Sequence, residues 1–227
     1  MSSKTFFISG IDTDIGKTVV TGLIARYLYK KNENVITAKL VQTGANGIAD
    51  DILKHREIMG IKPLDADHKM LTCPYVFRFP ASPHLAAEME NSSIDLEHID
   101  KSFKLLEEEY DIILAEGAGG LCVPLNRQLT ILDYLSEKKY PVILVTSPRL
   151  GSINHTFLSL QALKTAGIPV AGIIYNMHPG EKEQIARDTK LLIKHRYDKI
   201  PFIEVASFGT DKIPDIDFSL LRLSAVD

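Results

Sequence analysis

The chain has 227 residues, 45% of them apolar, and a formal net charge of −3. That balance leaves no electrostatic footprint for nucleic acid, and no basic stretch or aromatic-rich RNA-reading motif supplies one. No apolar run reaches the roughly 18 residues a membrane helix needs, and Cys73 and Cys122 are too few and too isolated for a disulfide framework or a zinc site. Met1-Ser2-Ser3-Lys4-Thr5 leads into a strand without the long apolar stretch of a signal peptide. The expectation is a cytoplasmic, reduced protein with one domain over residues 1–227 and no nucleic-acid or membrane partner.

Residues 6–9 read as a strand, and residues 17–30 carry a helical pattern. Between them lies Gly10-Ile11-Asp12-Thr13-Asp14-Ile15-Gly16-Lys17-Thr18. A strand, a glycine-bounded loop and a helix opening with Gly-Lys-Thr form a phosphate-binding loop, with one residue more than the common pattern between its glycines. Backbone N–H groups at the helix start carry partial positive charge toward an anion. Lys17 would reach the terminal phosphates, and the Thr18 hydroxyl would ligate magnesium.

A second strand is expected over residues 34–40, running into Lys39-Leu40-Val41-Gln42-Thr43-Gly44, and a short helix over Asp50–Met59. Pro63, Pro74, Pro80 and Pro83 make residues 60–82 an irregular crossover. Leu96, Ile99, Phe103 and Leu106 recur at helical spacing within residues 95–109. Residues 111–115 read as a buried strand followed directly by Glu116-Gly117-Ala118-Gly119-Gly120. An acid there stands where nucleotide-hydrolysing folds place the carboxylate for magnesium, and the glycines would let the backbone approach a ligand. Strands over 142–145 and 170–175, helices over 151–166 and 181–195, and a last strand over Phe202–Val205 complete the pattern, with a turn at Pro179-Gly180.

Near-continuous apolar strands alternating with helices predict an α/β fold of the P-loop NTPase type: one domain, a mostly parallel sheet, helices on both faces. Ligands bind outside the carboxyl ends of such strands. Lys17, Lys39, Glu116 and Asn176 all fall at such ends. Singly, each has a plainer reading: Lys39 as a snorkelling surface lysine, Asp51 as a helix cap, Glu116 as a buried acid held by backbone N–H groups, Asn176 as a turn former. His84 and His155 read as structural. The separate readings do not explain why lysines and acids share one edge.

In order and spacing, several motifs together resemble the dethiobiotin synthetase family over nearly the whole chain. They are the long phosphate loop, Lys39-Leu40-Val41-Gln42-Thr43-Gly44, Ser82-Pro83-His84, Glu116-Gly117-Ala118-Gly119-Gly120, Leu150-Gly151-Ser152-Ile153-Asn154-His155 and Ala171-Gly172-Ile173-Ile174-Tyr175-Asn176. The resemblance implies that diaminopelargonate, carbon dioxide (or bicarbonate) and MgATP give dethiobiotin, ADP and phosphate, through a carbamate and a carbamic–phosphoric anhydride. It implies catalytic roles for Lys17, Lys39 and Thr13, and magnesium held by Thr18, Asp51 and Glu116. Thr13 and Thr43 would position the amines or carbamate. Nucleotide contacts would come from Asp14, Ile15, Gly16, Lys17, Thr18, Val19, Asp51, Glu116, Gly117, Ala118, Gly119, Asn176, Val205, Ala206 and Ser207. The family is dimeric, so Leu150, Gly151 and Asn154 of the partner subunit would hold the substrate's carboxylate tail.

Four departures from the family pattern stand out. Leu40 replaces a usual proline, Asp14 a common glutamate, Met177 a frequent acid, and Glu204-Val205-Ala206-Ser207 lacks a usual proline. The alternative reading is a nucleotide-dependent dimerising switch ATPase of the partitioning type. Asp12 occupies the position of that class's signature lysine.

Overall fold

The computed structural model describes residues 3–177, 180, 182–209 and 213–223; Met1, Ser2, the expected turn residue Pro179 and the expected helix start Glu181 lie outside them. Eight strands and eight α-helices alternate among the described residues: β1 Lys4–Gly10, α1 Lys17–Lys30, β2 Val35–Lys39, β3 Gln42–Thr43, α2 Asp50–Met59, α3 Asp65–His68, β4 Val76–Phe77, α4 Pro83–Met89, α5 Leu96–Glu109, β5 Ile112–Gly120, α6 Ile131–Lys138, β6 Val142–Thr146, α7 Ser152–Thr165, β7 Val170–Asn176, α8 Glu183–Arg196 and β8 Phe202–Val205. A 3-10 turn, Ser219–Leu221, follows. Six strands form an all-parallel sheet in the order β2-β5-β1-β6-β7-β8, and β3 with β4 forms a small parallel pair. From β1 the chain crosses to the edge strand β2, returns inward to β5, and then steps outward through β6, β7 and β8 on the other side of β1, the strand that feeds the glycine loop.

Side chains alternate across the sheet with period two. Phe6, Ile8, Val35, Ile112 and Leu114 face one core with α1, the end of α2 and Ile193 of α8. Phe7, Ile36, Ala38, Ile113 and Ala115 face the other, with α4, α5 and α6. Burial on both faces is why these strands read as continuous apolar runs rather than alternating ones. Phe7 and Phe103 are fully enclosed, and burying a side chain of that size contributes about 1.5–3 kcal/mol.

The local signals act where the sequence puts them. The Asp95 carboxylate accepts from the Glu97 N–H at 2.9 Å and caps α5. Thr130 and Asp133 bond each other's backbone N–H at the start of α6.

Three sequence expectations need correction. The crossover over 60–82 is not wholly irregular: it contains α3 and β4, the latter paired with β3. Helices α4 and α6 were not anticipated, being short and lacking a full amphipathic repeat. Strand β5 does not stop at Ala115; it runs on through Glu116 to Gly120, because β2 pairs with it as far as Glu116 and β1 as far as Gly120.

A buried ion pair locks the crossover to the sheet. The Arg56 guanidinium on α2 donates from Nε and from one terminal nitrogen to the Asp67 carboxylate at 2.9 and 2.7 Å, and from the other to Thr37 Oγ1 at 2.8 Å. The Thr72 hydroxyl donates to the same carboxylate at 2.8 Å. Burial pushes Asp67 upward, but the hydrogen bonds and charge of Arg56 outweigh it and hold the carboxyl below the usual range. Its stabilising contribution is therefore present above the unfolded value near pH 4 and is lost as pH falls through the depressed native value. Removing one partner of such a pair strands the other charge, so Asp67→Asn is expected to lower unfolding free energy by ~3–5 kcal/mol in urea titrations at pH 7. The deficit should shrink below pH 4, where the wild-type carboxylate also titrates.

Candidate active site

The glycine loop leaves β1 at Gly10 and enters α1 at Lys17. Two of its residues have positive φ, Asp14 at 54° and Gly16 at 85°, which turns successive N–H groups inward. Gly16 is the N-cap of α1 and provides no side-chain cap, so the first-turn N–H groups have no intrahelical acceptor and face the cleft. A Cβ at Gly16 would collide with the side-chain nitrogen of Asn176. That nitrogen donates to the Ile15 carbonyl at 2.9 Å and pins the loop from below. The Lys17 ammonium bends back to the Asp12 carbonyl at 2.8 Å. Burial pulls its pKa down; Glu116 opposes this and Lys39 adds to it.

Register builds the rest. Lys39, the last residue of β2, lies directly opposite Glu116 of β5. Both fall in the same parity as Thr37, on the face covered by α2. Lys39 is 5% exposed and Glu116 fully buried. The Lys39 ammonium donates to Asp51 of α2 and, at 3.3 Å, to Glu116 Oε1. The Thr18 hydroxyl donates to the same Oε1 at 3.1 Å. Burial alone would lower the Lys39 pKa, but Glu116 and Asp51 outweigh it and raise it well above the ordinary value. Burial likewise pushes Glu116 up, and Lys39, His55 and Lys17 drive it far below the carboxylate range. One cleft of about 520 Å³ gathers Thr13, Asp14, Gly16, Lys17, Thr18, Val19, Lys39, Thr43, Asp51, Glu116 and Gly119, with Gln42. A second, apolar cleft runs from Gly16 and Val19 past Asn176 and Met177 to Ala206, Ser207 and Phe208.

With this geometry in view, comparison with known proteins decides the family. A family model described as an AAA domain matches residues 4–204. An ATP-dependent dethiobiotin synthetase of Pasteurella multocida is 51% identical over 197 residues, covering 87% of this chain and 92% of that protein. One from Chlorobaculum tepidum is 46% identical over 225 residues, covering 99% and 91%. The chain belongs to the ATP-dependent dethiobiotin synthetase family. Among solved structures, the MinC:MinD cell division complex of Aquifex aeolicus matches with TM-score 0.55 at 18% identity, covering 91% of this chain and 83% of that one. Chloroplast FtsY of Physcomitrella patens matches with TM-score 0.51 at 17%, covering 97% and 64%. At those identities the likeness is one of fold.

In this geometry several plainer readings give way. Lys39 is not a snorkelling surface residue; it is buried between two carboxylates. Asp51 begins α2, in its first turn after the N-cap Ala49, and besides that role its carboxylate accepts from Lys39. Asn176 is buried at the end of β7 and holds the loop rather than forming a turn. The Leu40 N–H donates to the Glu116 carbonyl at 3.1 Å, a bond proline could not make, so this departure from the family pattern fastens the strand that carries Lys39.

The glycines after Glu116 divide. A Cβ at Gly117 would meet the Phe7 ring at 2.9 Å, so packing against β1 requires a glycine there, and Gly119 lines the cleft. Val205 is buried and accepts from the Met177 N–H at 2.9 Å; it supports the second cleft from behind. Leu150, Gly151 and Asn154 are exposed at the start of α7 and are not brought into either cleft of their own chain.

Two residues were missed in the sequence. His55, buried, places Nε2 2.9 Å from Glu116 Oε2; its signal was the four-residue spacing from Asp51, which puts both on one helix face. Arg149 pairs with Asp12 and ties the segment before α7 to the glycine loop. No local pattern announces that contact.

Gly16→Ala should therefore cripple nucleotide binding. A left-handed alanine costs about 1–2 kcal/mol before the clash with Asn176 is counted. Isothermal titration with a non-hydrolysable ATP analogue is expected to show at least a ~10-fold weaker Kd, a factor equivalent to 1.4 kcal/mol.

Proposed function

We propose that the whole chain works as one cytoplasmic ligase domain that closes the ureido ring of dethiobiotin in biotin synthesis. Its substrates are diaminopelargonate, carbon dioxide and ATP. The carrying observation is the juxtaposition of Lys17, Lys39, Asp51, Glu116 and Thr18 at the mouth of a glycine loop, in a chain of this family. One substrate amine adds to carbon dioxide and loses a proton, giving a carbamate. A carbamate oxygen attacks the γ-phosphorus and ADP leaves. The second amine attacks the carbamoyl carbon, phosphate departs with its oxygen, and the ring closes with loss of a proton.

A carbamate and a triphosphate repel each other. Lys17 and Lys39 offset that charge at the transferring group, while the N–H groups of the loop hold the phosphates. Thr13 and Thr43, both lining the cleft, would orient the amines or carbamate. Thr18, Asp51 and Glu116 offer only oxygen ligands, the donor set magnesium favours, and would hold that ion. When bound it would supply positive charge that offsets the charge of the phosphates. Asn176, Ala206 and Ser207 would face the adenine. No protein nucleophile is required.

Lys39→Ala is expected to lower kcat for dethiobiotin formation by ~100-fold or more, the usual effect of losing one donor to a developing oxyanion. Retention of wild-type turnover would remove Lys39 from catalysis. Coupled ADP release, with and without diaminopelargonate and bicarbonate, tests the reaction itself. Nucleotide hydrolysis indifferent to both substrates would favour a switch ATPase.

The exposed Leu150, just before α7, and Leu158, on it, give this region an apolar surface suited to a second copy of the chain. We place the tail-binding Leu150, Gly151 and Asn154 of the partner subunit at the open side of the cleft. Asn154→Ala and Lys17→Ala, each nearly inactive alone, should regain activity when mixed and allowed to exchange. Random pairing in a two-fold dimer makes half the molecules hybrids with one intact site, so recovery toward about a quarter of wild type is expected. No recovery, with exchange verified by mass spectrometry, would mean that the tail is bound in the same chain or that Asn154 is structural.

A further inference from the structure

We propose that His55 is a positioning residue for phosphoryl transfer, acting through Glu116; this rests on the reading of Glu116 as a magnesium ligand. His55 lies one helical turn after Asp51 on α2, fully buried, on the face that covers Lys39 and Glu116. Its Nε2 lies 2.9 Å from Glu116 Oε2. A carboxylate held this far below its usual range is ionised and only accepts, so Nε2 carries the proton and donates.

The carboxylate is thereby divided. Oε2 is anchored to His55, and Oε1 receives Thr18 and Lys39. The other ring nitrogen, Nδ1, is buried and has no hydrogen-bond partner among the described residues. Leaving a buried ring nitrogen unpaired is unfavourable, and an apolar side chain of similar size would fill the space without it. The imidazole's polar contribution is therefore concentrated in one bond, the bond to Glu116. Without that anchor, Glu116 can turn Oε2 toward the Lys39 ammonium. The ion pair would tighten at the expense of the oxygen offered to a metal. Partners of this kind typically set metal affinity or activity by about 10- to 100-fold.

The test uses three variants of the intact protein. Glutamine puts its amide nitrogen about where Nε2 sits, asparagine falls short at the Nδ1 position, and leucine has no donor. Affinity for Mn2+ in the presence of a non-hydrolysable ATP analogue is read by electron paramagnetic resonance, beside kcat and KM for dethiobiotin formation. His55→Leu and His55→Asn should weaken Mn2+ by about 10- to 100-fold and lower kcat in parallel, with KM for diaminopelargonate little changed. His55→Gln should recover most of both. Wild-type Mn2+ affinity in His55→Leu would overturn the proposal, as would His55→Gln falling as far as His55→Asn. If the leucine variant does not fold, the glutamine and asparagine pair decides alone: glutamine well above asparagine supports the proposal, and equal loss overturns it. Absence of a Mn2+ site in the wild-type complex would also overturn it. Absence of dethiobiotin formation by wild type, with the Mn2+ pattern intact, would overturn the functional reading and leave the His55–Glu116 assignment standing.

Discussion

The site depends on one buried ammonium. Lys39 can leave water only because Asp51 and Glu116 meet it; an unpaired charge at that depth would cost several kcal/mol. That requirement fixes three elements relative to one another: β2 carries the lysine, β5 the glutamate in register with it, and α2 the aspartate. Pairing of this kind adds little net stability, since desolvation consumes most of the attraction. What it supplies is a defined arrangement of charge before any substrate arrives, the property electrostatic catalysis relies on. The arrangement spans the neutral range. Glu116's contribution is present above its unfolded value near pH 4 and lost as pH falls through its lowered native value; Lys39's is present below about pH 10 and lost as pH rises through its raised one.

Lys17 contrasts with Lys39. It is buried with a backbone carbonyl as its nearest acceptor, and burial lowers its pKa. Two lysines lining the same cleft thus have different electrostatic surroundings. One is compensated by carboxylates that the fold provides. The other is undercompensated at the position where a phosphate anion would supply the missing charge. The loop's inward N–H groups add to the same demand for an anion.

Much of this was legible in the sequence. The glycine loop, the continuous apolar runs and α2 with the bounds Asp50–Met59 followed from local chemistry, as did the placement of Lys39 and Asn176 at strand ends. What was not legible involved partners distant in sequence. Whether Glu116 ends a strand or lies within one depends on how far β1 and β2 extend beside it. Gly117 looked like a ligand-approach glycine, and it is the Phe7 ring, 110 positions earlier, that requires it. His55 and Arg56, adjacent on α2, have no motif; one reaches Glu116 and the other Asp67, each through folded geometry.

The amino-acid sequence by itself determined the strand–loop–helix of the glycine loop and the parallel α/β architecture, because these rest on periodicity and spacing within short segments. Tertiary structure decided which charges share a cleft. The register of β2 on β5 sets Lys39 against Glu116, and the packing of α2 brings Asp51 and His55 to the two of them. Helical spacing puts Asp51 and His55 on one face, but which strand residues that face meets is fixed only when the sheet pairs, since a one-residue slip would turn Lys39 to the opposite side.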